Sequence, residues 1–434
     1  MHKGILVVLM VLLLSPLQAA AFDVAQLQIN GFLSQGYLDS SENSFLAGDS
    51  VDGTTEFNEV GIAVSTQISD KLRAGMQLLS RDLGNVGNNE VRLDWGFADY
   101  RHEDYLGVRI GKVKLPMGLY NEGRDTDMLR PMVFLPQSIY DETKRDLLVA
   151  YQGGGLYGNL SFGVLGDLDY HGFYGGINIG DESLLINALQ QNASFTLTSA
   201  NATGPLGFAD QYKVNNVEVD NDYIAGGGLV LNSALDGLRL GVSWLTVQNQ
   251  LSYSGMITES QMNPGMPPTP NTSPDIIGTI PPSVGQLNNE ATYVASLEYV
   301  YENLTLVGEY SETERKQKFG NITAIDATSQ SYYVMAAYTF MDRMTVSALY
   351  DVYYSDKDDK DGDAFAATSP SRQDFFSWRK DLGVGVRYDI TPNWLVKAEY
   401  HDVDGAALFL TTVNDPAELE QDWDYFVVKT SVNF

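Results

Sequence analysis

The feature that most constrains the fold is a two-residue alternation of side chains, which is clearest in the last ten residues, YFVVKTSVNF. Successive side chains of a β-strand point to opposite faces, so this period is typical of a strand with two different faces. The row on one face is Phe426, Val428, Thr430, Val432 and Phe434. The row on the other face contains Lys429, Ser431 and Asn433.

The same period recurs along the chain and predicts an all-β protein. A water-soluble sandwich would bury the apolar rows, whereas a wide membrane barrel turns them toward lipid and keeps the polar rows on a water-filled inside. Both folds are compatible with the alternation alone. The apolar rows lie in Val60–Ile68, Val91–Phe97, Leu238–Trp244, Leu382–Tyr388 and Trp394–Tyr400.

The connections between these rows favour the barrel, because short and long connections alternate. Such segregation is typical of transmembrane barrels, which have short periplasmic turns and long external loops. The pattern predicts about 16 antiparallel strands with both termini on the periplasmic side. The short turns are predicted at Ser69–Lys71, His102–Asp104, Gly153–Gly158, Leu235–Gly237, Tyr301–Asn303, Met341–Arg343 and Thr391–Asn393. The long loops are predicted at Asp39–Thr54, Arg81–Asn89, Pro116–Arg145, Gly166–Asn221, Gln250–Asn289, Thr313–Gln330, Ser355–Arg372 and Val403–Gln421.

The N-terminus has the pattern of a secretory signal peptide. Lys3 precedes an apolar run from Ile5 to Leu14, and Ala19–Ala21 offer a cleavage site of small residues. We therefore expect residues 1–21 to be removed, which leaves residues 22–434 as one domain. After this segment the sequence has no apolar run of about twenty residues, the length that a transmembrane helix needs.

Composition and motifs exclude several functions. The net charge of −29 argues against a nucleic-acid partner, and the chain has no cysteine for disulfides. The glycine-rich Gly153–Gly158 is followed by a strand pattern rather than a helix, so it does not predict a phosphate-binding loop. The acidic Asp356–Asp363 lacks the ligand spacing of a calcium loop. We expect no cofactor, no metal and no enzymatic activity.

Together, the signal peptide, the barrel rhythm, the terminal Phe434 and a long segment after the fifth strand resemble Gram-negative outer-membrane porins of the 16-stranded superfamily. The stretch RIGKVKLPMGLYNEGRD (Arg109–Asp125) is most similar to the phosphate-selective porin O/P group. The lysine and arginine array of that group has no residue-by-residue counterpart here.

This resemblance implies an outer-membrane channel for passive diffusion of small hydrophilic solutes and ions. It also implies a homotrimer, contact with outer-membrane lipid and lipopolysaccharide, and insertion by the barrel-assembly machinery. Three alternatives remain open: an anion- or substrate-selective porin of the same fold, a barrel adhesin or outer-membrane enzyme, and a soluble secreted β-sandwich.

In porins of this kind the third long loop folds into the barrel and narrows the pore, which here would be Pro116–Arg145. We expect cations and acids of this region to oppose each other across the opening. Strict alternation turns Lys112 and Lys114 toward lipid, so either a β-bulge at Gly111 reverses them or they reach the headgroups. The expected constriction residues are Lys112, Lys114, Glu122, Arg124, Asp125, Asp127 and Arg130, with further acids at Asp141 and Glu142.

The polar rows also predict which charges line the inside of the barrel, and the terminal strand carries a predicted assembly signal. The expected lumen residues are Arg73, Arg92, Asp94, Arg109, Arg239, Glu298, Glu309, Asp351, Arg379, Asp381, Arg387, Lys397, Glu399 and Lys429. The expected assembly signal is Phe426, Val428, Val432 and Phe434, on a strand that must pair with Leu27–Leu33 to close the barrel.

Overall fold

A computed structural model describes residues 27–46, 48–180, 183–201, 210–259, 275–369, 371–409 and 413–434. These residues form a closed, all-antiparallel barrel of 16 strands, in which each strand pairs with its sequence neighbours and β1 pairs with β16. The predicted fold class and strand count are confirmed. The strands are β1 (Leu27–Ser40), β2 (Asn58–Ser69), β3 (Leu72–Asp82), β4 (Val91–Glu103), β5 (Leu106–Lys114), β6 (Ala150–Ser161), β7 (Gly166–Gly176), β8 (Gln211–Ser233), β9 (Leu238–Thr258), β10 (Ile276–Tyr301), β11 (Leu304–Phe319), β12 (Ile322–Phe340), β13 (Met344–Tyr354), β14 (Trp378–Thr391), β15 (Trp394–Asp404) and β16 (Asp422–Asn433).

Helices are few in the described part of the chain. None of the helices there has the length and apolar character needed to cross a membrane. The α-helices are α1 (Gln137–Tyr140), α2 (Arg145–Leu148), α3 (Leu184–Ala200) and α4 (Asp363–Ala366). The 3-10 turns are Asp127–Leu129, Glu142–Lys144, Gly163–Leu165 and Asp374–Ser377. The predicted signal peptide lies outside the described residues.

Strand β16 closes the barrel against β1, as the sequence predicts. Phe32–Ser40 pair with Tyr425–Asn433, and the backbone of Phe434 exchanges hydrogen bonds of 2.8 and 3.0 Å with Gly31. The ring of Phe434 covers Gly31, where a Cβ atom would lie 2.4 Å from the ring. The apolar row of β16 faces outward and Lys429 faces inward, where it is 1% exposed.

Strands β8 to β12 are longer than predicted, so three predicted long loops are wrong in extent. The loop predicted at Gly166–Asn221 ends too late, because β8 begins at Gln211. The loop predicted at Thr313–Gln330 is a tight turn at Gly320, because β11 and β12 continue to within two residues of each other. The loop predicted at Gln250–Asn289 is confined to residues 259–275, because β9 ends at Thr258 and β10 begins at Ile276. In these extensions buried apolar side chains such as Leu251 and Phe319 face the inside, so they do not continue the outward apolar rows on which the prediction rests.

The prediction of a turn at Gly153–Gly158 is wrong, because these residues lie in the middle of β6 and pair with both β5 and β7. The turn lies instead at Gly163–Leu165. A Cβ atom at Gly153 would lie 2.2 Å from the carbonyl oxygen of Tyr174. The predicted loop Gly166–Asn221 correspondingly begins too early, since β7 occupies its first residues. Glycine serves here for close strand packing rather than for a turn.

Strand β4 contains a β-bulge at Asp94. The residues that follow the bulge therefore point to the face opposite to the one that the sequence predicts. Gln77 pairs with Trp95 and Leu78 pairs with Leu93, so Asp94 is the extra residue. Leu93 remains 44% exposed on the outside. Trp95 and Phe97 lie on the inside, contrary to the predicted apolar row, and the guanidinium of Arg109 lies 4.5 Å from the ring of Phe97.

The bulge predicted at Gly111 is wrong, because the pairing of β5 is continuous through this residue with both neighbouring strands. Lys112 therefore keeps the outward face of Ile110, and its ammonium donates a hydrogen bond of 2.7 Å to the carbonyl of Leu93. Lys114, the last residue of β5, reaches the inner charges instead and donates to Asp125.

Candidate functional site: the segment inside the barrel

The chain between β5 and β6, residues 115–149, forms a compact unit that we call the inner segment. Pro116 lacks a backbone donor and ends the ladder of β5. The amide of Leu115 donates to the carbonyl of Val149 at 2.9 Å, which closes the base of the segment. Gly118 adopts a φ of 61°, and a Cβ atom there would lie 2.2 Å from the hydroxyl of Tyr140. A glycine is therefore needed at this bend.

Inward side chains of β9, β11 and β13 bind one end of the inner segment. The amide of Gly118 donates to Ser243 Oγ at 3.0 Å. Glu309 accepts from the amide of Leu119 at 2.9 Å and from the hydroxyl of Tyr140 at 2.5 Å. The amide of Ser138 donates to Asp351 Oδ2 at 3.1 Å. The segment thus reaches wall strands far from β5, its own point of origin.

Asp127 connects the inner segment to β15 and β16. Its carboxylate lies 3.5 Å from Lys397 Nζ and 3.2 Å from Lys429 Nζ, and it accepts a hydrogen bond from Ser431. Arg130 completes the group through a 2.6 Å contact with Asp127. Burial alone would raise the pKa of Asp127, but the neighbouring cations outweigh it and hold the pKa well below its usual range.

Backbone carbonyls and amides of the inner segment also bind wall charges. Arg387 on β14 donates to the carbonyls of Met128 and Arg130 at 2.8 and 3.2 Å. On β15, Lys397 donates to the carbonyl of Met132 at 3.0 Å, and the amide of Val133 donates to Glu399. These contacts fix the backbone itself, so they determine where the segment lies.

A second charged group connects the inner segment to β3 and β4. Arg145 binds Asp125 and also Asp94 on β4, the latter at 2.8 Å. Glu142 contacts Arg124 at 2.9 Å and Arg81 on β3 at 3.4 Å. Burial alone would raise the pKa of Glu142, but Arg124 and the other arginines lower it to about 2. The pKa of Asp125 is likewise held well below its usual range, by Arg145 and Lys114 against the effect of burial.

Apolar packing holds the remaining flank of the inner segment. Leu115 is fully buried and Met117 is 4% exposed, although both lie inside a barrel of the kind that usually holds water. Their core includes, from the segment, Leu115, Met117, Met132, Leu135, Ile139 and Tyr140, and from the wall Val113, Tyr151, Phe173, Ile224, Leu245, Val247, Val294, Val307, Tyr333, Met335 and Leu349.

The expected constriction charges do not face each other across open water. Arg124 and Asp127 are 3% exposed, Arg130 is 7% exposed and Asp125 is 8% exposed. They pair directly within the segment and with the wall, because burial would be costly for any of them alone. Glu122 is exposed, and the side chain of Lys114 is 14% exposed. Lys112 lies on the outward face, where its ammonium donates to the carbonyl of Leu93 on β4.

The expected lumen residues divide into two sets. Those under the inner segment are buried in ion pairs or hydrogen bonds: Asp94, Glu309, Asp351, Arg379, Asp381, Lys397, Glu399 and Lys429. Others remain more accessible: Arg73, Arg92, Arg109, Arg239, Glu298 and Arg387. Arg92 pairs with Glu90 at 2.7 Å, and Arg239 pairs with Glu298 at 2.8 Å.

Two residues of the accessible set, Arg73 and Arg109, border a cavity of about 670 Å³, which we call the lower cavity. Arg73, Arg109 and Lys114 bring cations to it, and Glu122 brings a carboxylate. Arg109 is itself paired with Asp99 at 3.0 Å. Arg73 makes a 3.4 Å contact with Ser65 Oγ. Positive groups therefore outnumber the negative group among the side chains that border this cavity.

The sequence analysis missed several inner residues. Arg81 and Arg145 bind the acids of the inner segment, and Asp99 binds Arg109. His401 lies between Asp381 and Glu399, with ring nitrogens 2.7 and 3.2 Å from their oxygens. Alternation along β15 would have placed His401 inside with Lys397 and Glu399. Its partner on β14 depends on strand register, which the sequence alone does not give.

Helix α3 is a second element on the inner side of the wall. Its buried residues Ile186, Leu189 and Ala193 join a core with Leu251 on β9 and Phe319 on β11. Asn192 of this helix donates a hydrogen bond of 2.9 Å to Gln317 Oε1 on β11. The helix and the inner segment therefore both reduce the open space within the barrel.

Among the described residues, no group of three or more histidines, cysteines or carboxylates could hold a metal ion. The arrangement consists of fixed charges and a packed segment inside a closed barrel. Such an arrangement can select solutes by size and charge.

Comparison with known proteins agrees with this geometry. A sequence profile described as Gram-negative porin matches residues 7–412. No curated protein sequence matches the chain. The fold is similar to that of the outer membrane channel DcaP of Acinetobacter baumannii, with 10% identity, 96% of this chain and 100% of that chain covered, and a TM-score of 0.54.

Two further solved structures share the fold. The anion-selective porin from Comamonas acidovorans has 11% identity, with 94% of this chain and 99% of that chain covered and a TM-score of 0.51. OmpF of Salmonella typhi in complex with daunomycin has 15% identity, with 94% of this chain and 97% of that chain covered and a TM-score of 0.51.

Proposed function

Because the chain belongs to the Gram-negative porin family and is an outer-membrane channel, we propose that its inner segment is the element that limits passive diffusion through the barrel. Small hydrophilic solutes and ions are the proposed cargo. The observation that carries this proposal is the set of contacts from residues 115–149 to inward side chains of β3, β4, β9, β11 and β13–β16. Any solute inside the barrel must pass beside a segment that is bound on so many sides.

A weak anion preference is the proposed selectivity. Arg73, Arg109 and Lys114 border the lower cavity together with the carboxylate of Glu122, whereas Asp99 and Asp125, the partners of Arg109 and Lys114, are not among the side chains that border it. Charges near the narrow part of a pore act on ions more strongly than distant ones, because less water screens them. The acidic surplus of the whole chain does not oppose this preference, since loop acids such as Asp358 are exposed and lie away from the cavity. An anion-selective porin of similar fold is known from Comamonas acidovorans.

Further parts of the proposal rest on the porin family alone. They are a homotrimer, a signal peptide over residues 1–21, contact with lipid and lipopolysaccharide, insertion by the barrel-assembly machinery and the absence of catalysis. For assembly we propose that the outward row Phe426, Val428, Val432 and Phe434 is the recognised signal. No observation among the described residues favours an adhesin or an enzyme.

The test is conductance in planar lipid bilayers. The wild type should give stepwise openings, and a variant with residues 117–147 replaced by a short glycine–serine linker should give larger steps. Across a tenfold potassium chloride gradient, the reversal potential of the wild type should have the sign of an anion preference. Shortening the exposed acidic stretch 356–363 is the matched control and should leave step size unchanged.

Two outcomes would contradict the proposal in different ways. An absence of steps from protein that is folded by circular dichroism and heat-modifiability would argue against channel function. Equal step sizes for the wild type and the shortened variant would remove the inner segment from the narrowest part of the route.

A further inference from the structure

A cavity of about 320 Å³, which we call the upper cavity, lies between the inner segment and helix α3. Met117, Ser138 and Leu148 line it from the inner segment, and Leu189 and Asn192 line it from the helix. Residues of β9 to β12 form much of the rest of its wall, together with Ile177, Ile179, Tyr353 and Leu408. Its size falls at the lower end of the range for small-molecule sites, which are typically about 300–1,000 Å³.

Hydrogen-bonding groups without partners are concentrated at this cavity. Arg315 Nε, Gln317 Nε2 and Ser138 Oγ are buried and have no hydrogen-bond partner among the described residues, whereas the acceptor Asp141 Oδ2 is ion-paired with Lys144. Gln317 is only 3% exposed, and its oxygen already accepts from Asn192. All three free groups can donate a hydrogen bond. A buried donor without an acceptor costs roughly 1–3 kcal/mol, so the site lacks an acceptor group that a ligand could supply.

The charge balance of the cavity indicates an anionic ligand. The guanidinium of Arg315 binds the carbonyl of Ser355 and has no carboxylate partner in the part of the chain that the structure describes. One carboxylate lines the cavity among those residues, Asp141, and Lys144 pairs with it at 2.8 Å. Lys316 is the third lining cation, and it pairs with Glu290 at 3.6 Å. One uncompensated positive group therefore remains, on the same inward face of β11 as the free amide of Gln317.

The surface that the cavity presents is mainly apolar, although polar side chains such as Asn249, Asn289 and Thr313 also line it, and this restricts the kind of anion. Leucine, isoleucine and valine side chains form most of its apolar part, and a polyhydroxylated solute would leave some hydroxyls against them at a cost. A doubly charged anion such as phosphate would find only one uncompensated cation. A carboxylate matches the planar fork of a guanidinium. The aliphatic lining residues are Ile139, Leu147, Leu148, Ile177, Ile179, Leu185, Leu189, Leu245, Val247, Leu287, Ile325 and Leu408.

We infer that the upper cavity binds organic monocarboxylates, with the carboxylate at Arg315 and Gln317 and a short apolar body against the aliphatic wall. The inference rests on the proposed channel function, for which it supplies a preferred solute class. Binding at this point raises the local concentration of such solutes above the inner segment.

Binding is tested first, by isothermal titration calorimetry of the detergent-solubilised full chain with hexanoate. The wild type should bind hexanoate, and Arg315→Gln should weaken binding about tenfold to a hundredfold, the loss expected for a charge-assisted hydrogen bond. Lys318→Gln is the matched control, because Lys318 lies on the same strand and does not line the cavity. Gln317→Leu should weaken binding by a smaller factor and serves as the second variant if Arg315→Gln does not fold.

The choice of probes separates the parts of the inference. Hexylammonium, 1-hexanol and inorganic phosphate should each bind at least tenfold more weakly than hexanoate. Equal binding of 1-hexanol would overturn the role of Arg315, and equal binding of phosphate would overturn the role of the aliphatic wall. Equal hexanoate affinity of the wild type and both cavity variants would place binding elsewhere and overturn the inference.

Conductance distinguishes failure of this inference from failure of the proposed function. Hexanoate should reduce the chloride current of the wild type and of Lys318→Gln, but much less that of Arg315→Gln. Chloride steps without any effect of hexanoate would overturn the binding site and leave the channel intact. A lack of chloride steps would instead contradict the channel function, whatever the calorimetry gives.

Discussion

The two flanks of the inner segment are held in contrasting ways. Toward β15 and β16, the carboxylate of Asp127 lies among Arg130, Lys397 and Lys429, so the contact is ionic and directional. Toward β5, β6 and β9, apolar side chains around the fully buried Leu115 pack without fixed hydrogen-bond geometry. The ionic flank determines where the segment lies, and the apolar flank supplies burial that tolerates small shifts. The segment should therefore respond differently when each flank is weakened.

The largest effect is expected from Asp127→Asn. This change leaves the buried Arg130 and Lys397 without the carboxylate of Asp127, while Lys429 keeps Glu59 at 2.6 Å. Removing one partner of a buried ionic group typically costs about 3–5 kcal/mol. Amide hydrogen exchange, followed by mass spectrometry, should rise in peptides around residues 126–133. Open-channel current noise should increase as well.

The control for this change is Asp358→Asn, since Asp358 is exposed in an external loop. That variant should exchange and conduct like the wild type. If Asp127→Asn also matches the wild type in both measurements, the ionic flank does not position the segment.

A somewhat smaller effect is expected from Leu115→Ala on the apolar flank. Truncating a fully buried leucine leaves a cavity and typically costs roughly 2–5 kcal/mol. Exchange should rise around residues 115–120 and 148–151, and less around Asp127. Salt should not change this increase, whereas it should modify the effect of Asp127→Asn. An increase spread evenly over the whole segment would show that the two flanks are one cooperative unit.

The contrast between the flanks also explains what the sequence could reveal. Alternation predicts the barrel, its 16 strands and its closure, because contact with lipid requires an apolar outward face on every strand. It does not predict the partner of Asp127, since Lys397 lies 270 residues further along the chain. Which inward charges meet depends on strand register and on the path of the inner segment, and neither leaves a local pattern.

The bulge at Asp94 shows the same limit within a single strand. One extra residue turned Trp95 and Phe97 inward, and the sequence around them still reads as uninterrupted alternation. The glycines of β6 caused a different error, because the sequence predicted a turn where the structure has a strand. Residues without side chains fit both a turn and a closely packed strand. The sequence did not reveal that Arg124 and Arg130 are buried either, because a charged residue in a long loop is usually in contact with water.

A moderate effect is expected from pH. The pKa of Glu142 is lowered from 4.5 to about 2, so its ion pairs stabilise the docked segment above pH 4.5 and lose that contribution as the pH falls toward 2. At pH 3.5 the loss should be roughly 1–1.5 kcal/mol relative to pH 7. Current noise should therefore rise between pH 4.5 and 3.

Glu142→Gln sharpens the pH experiment, because the variant has lost the titrating group. Its noise should be higher at pH 7 and should change less on acidification than that of the wild type. Asp125 and Asp127 still titrate at lower pH, so a residual rise is expected. The same pH dependence in both proteins would assign the acid response to other carboxylates.

The smallest effect is expected from Arg73→Gln, which changes a charge at the lower cavity without touching either flank. Arg73 is exposed, and its guanidinium makes a 3.4 Å contact with Ser65 Oγ. Its removal should leave hydrogen exchange of the inner segment unchanged and shift the reversal potential toward cations by a few millivolts, about the size expected for a water-screened charge. The paired substitution Asp358→Asn with Asp361→Asn, far from the cavity, should shift it less. If the external pair shifts the potential as much as Arg73→Gln does, ion preference is set at the mouth of the barrel rather than beside the inner segment. The two flanks would then position a segment that limits solute size without selecting charge.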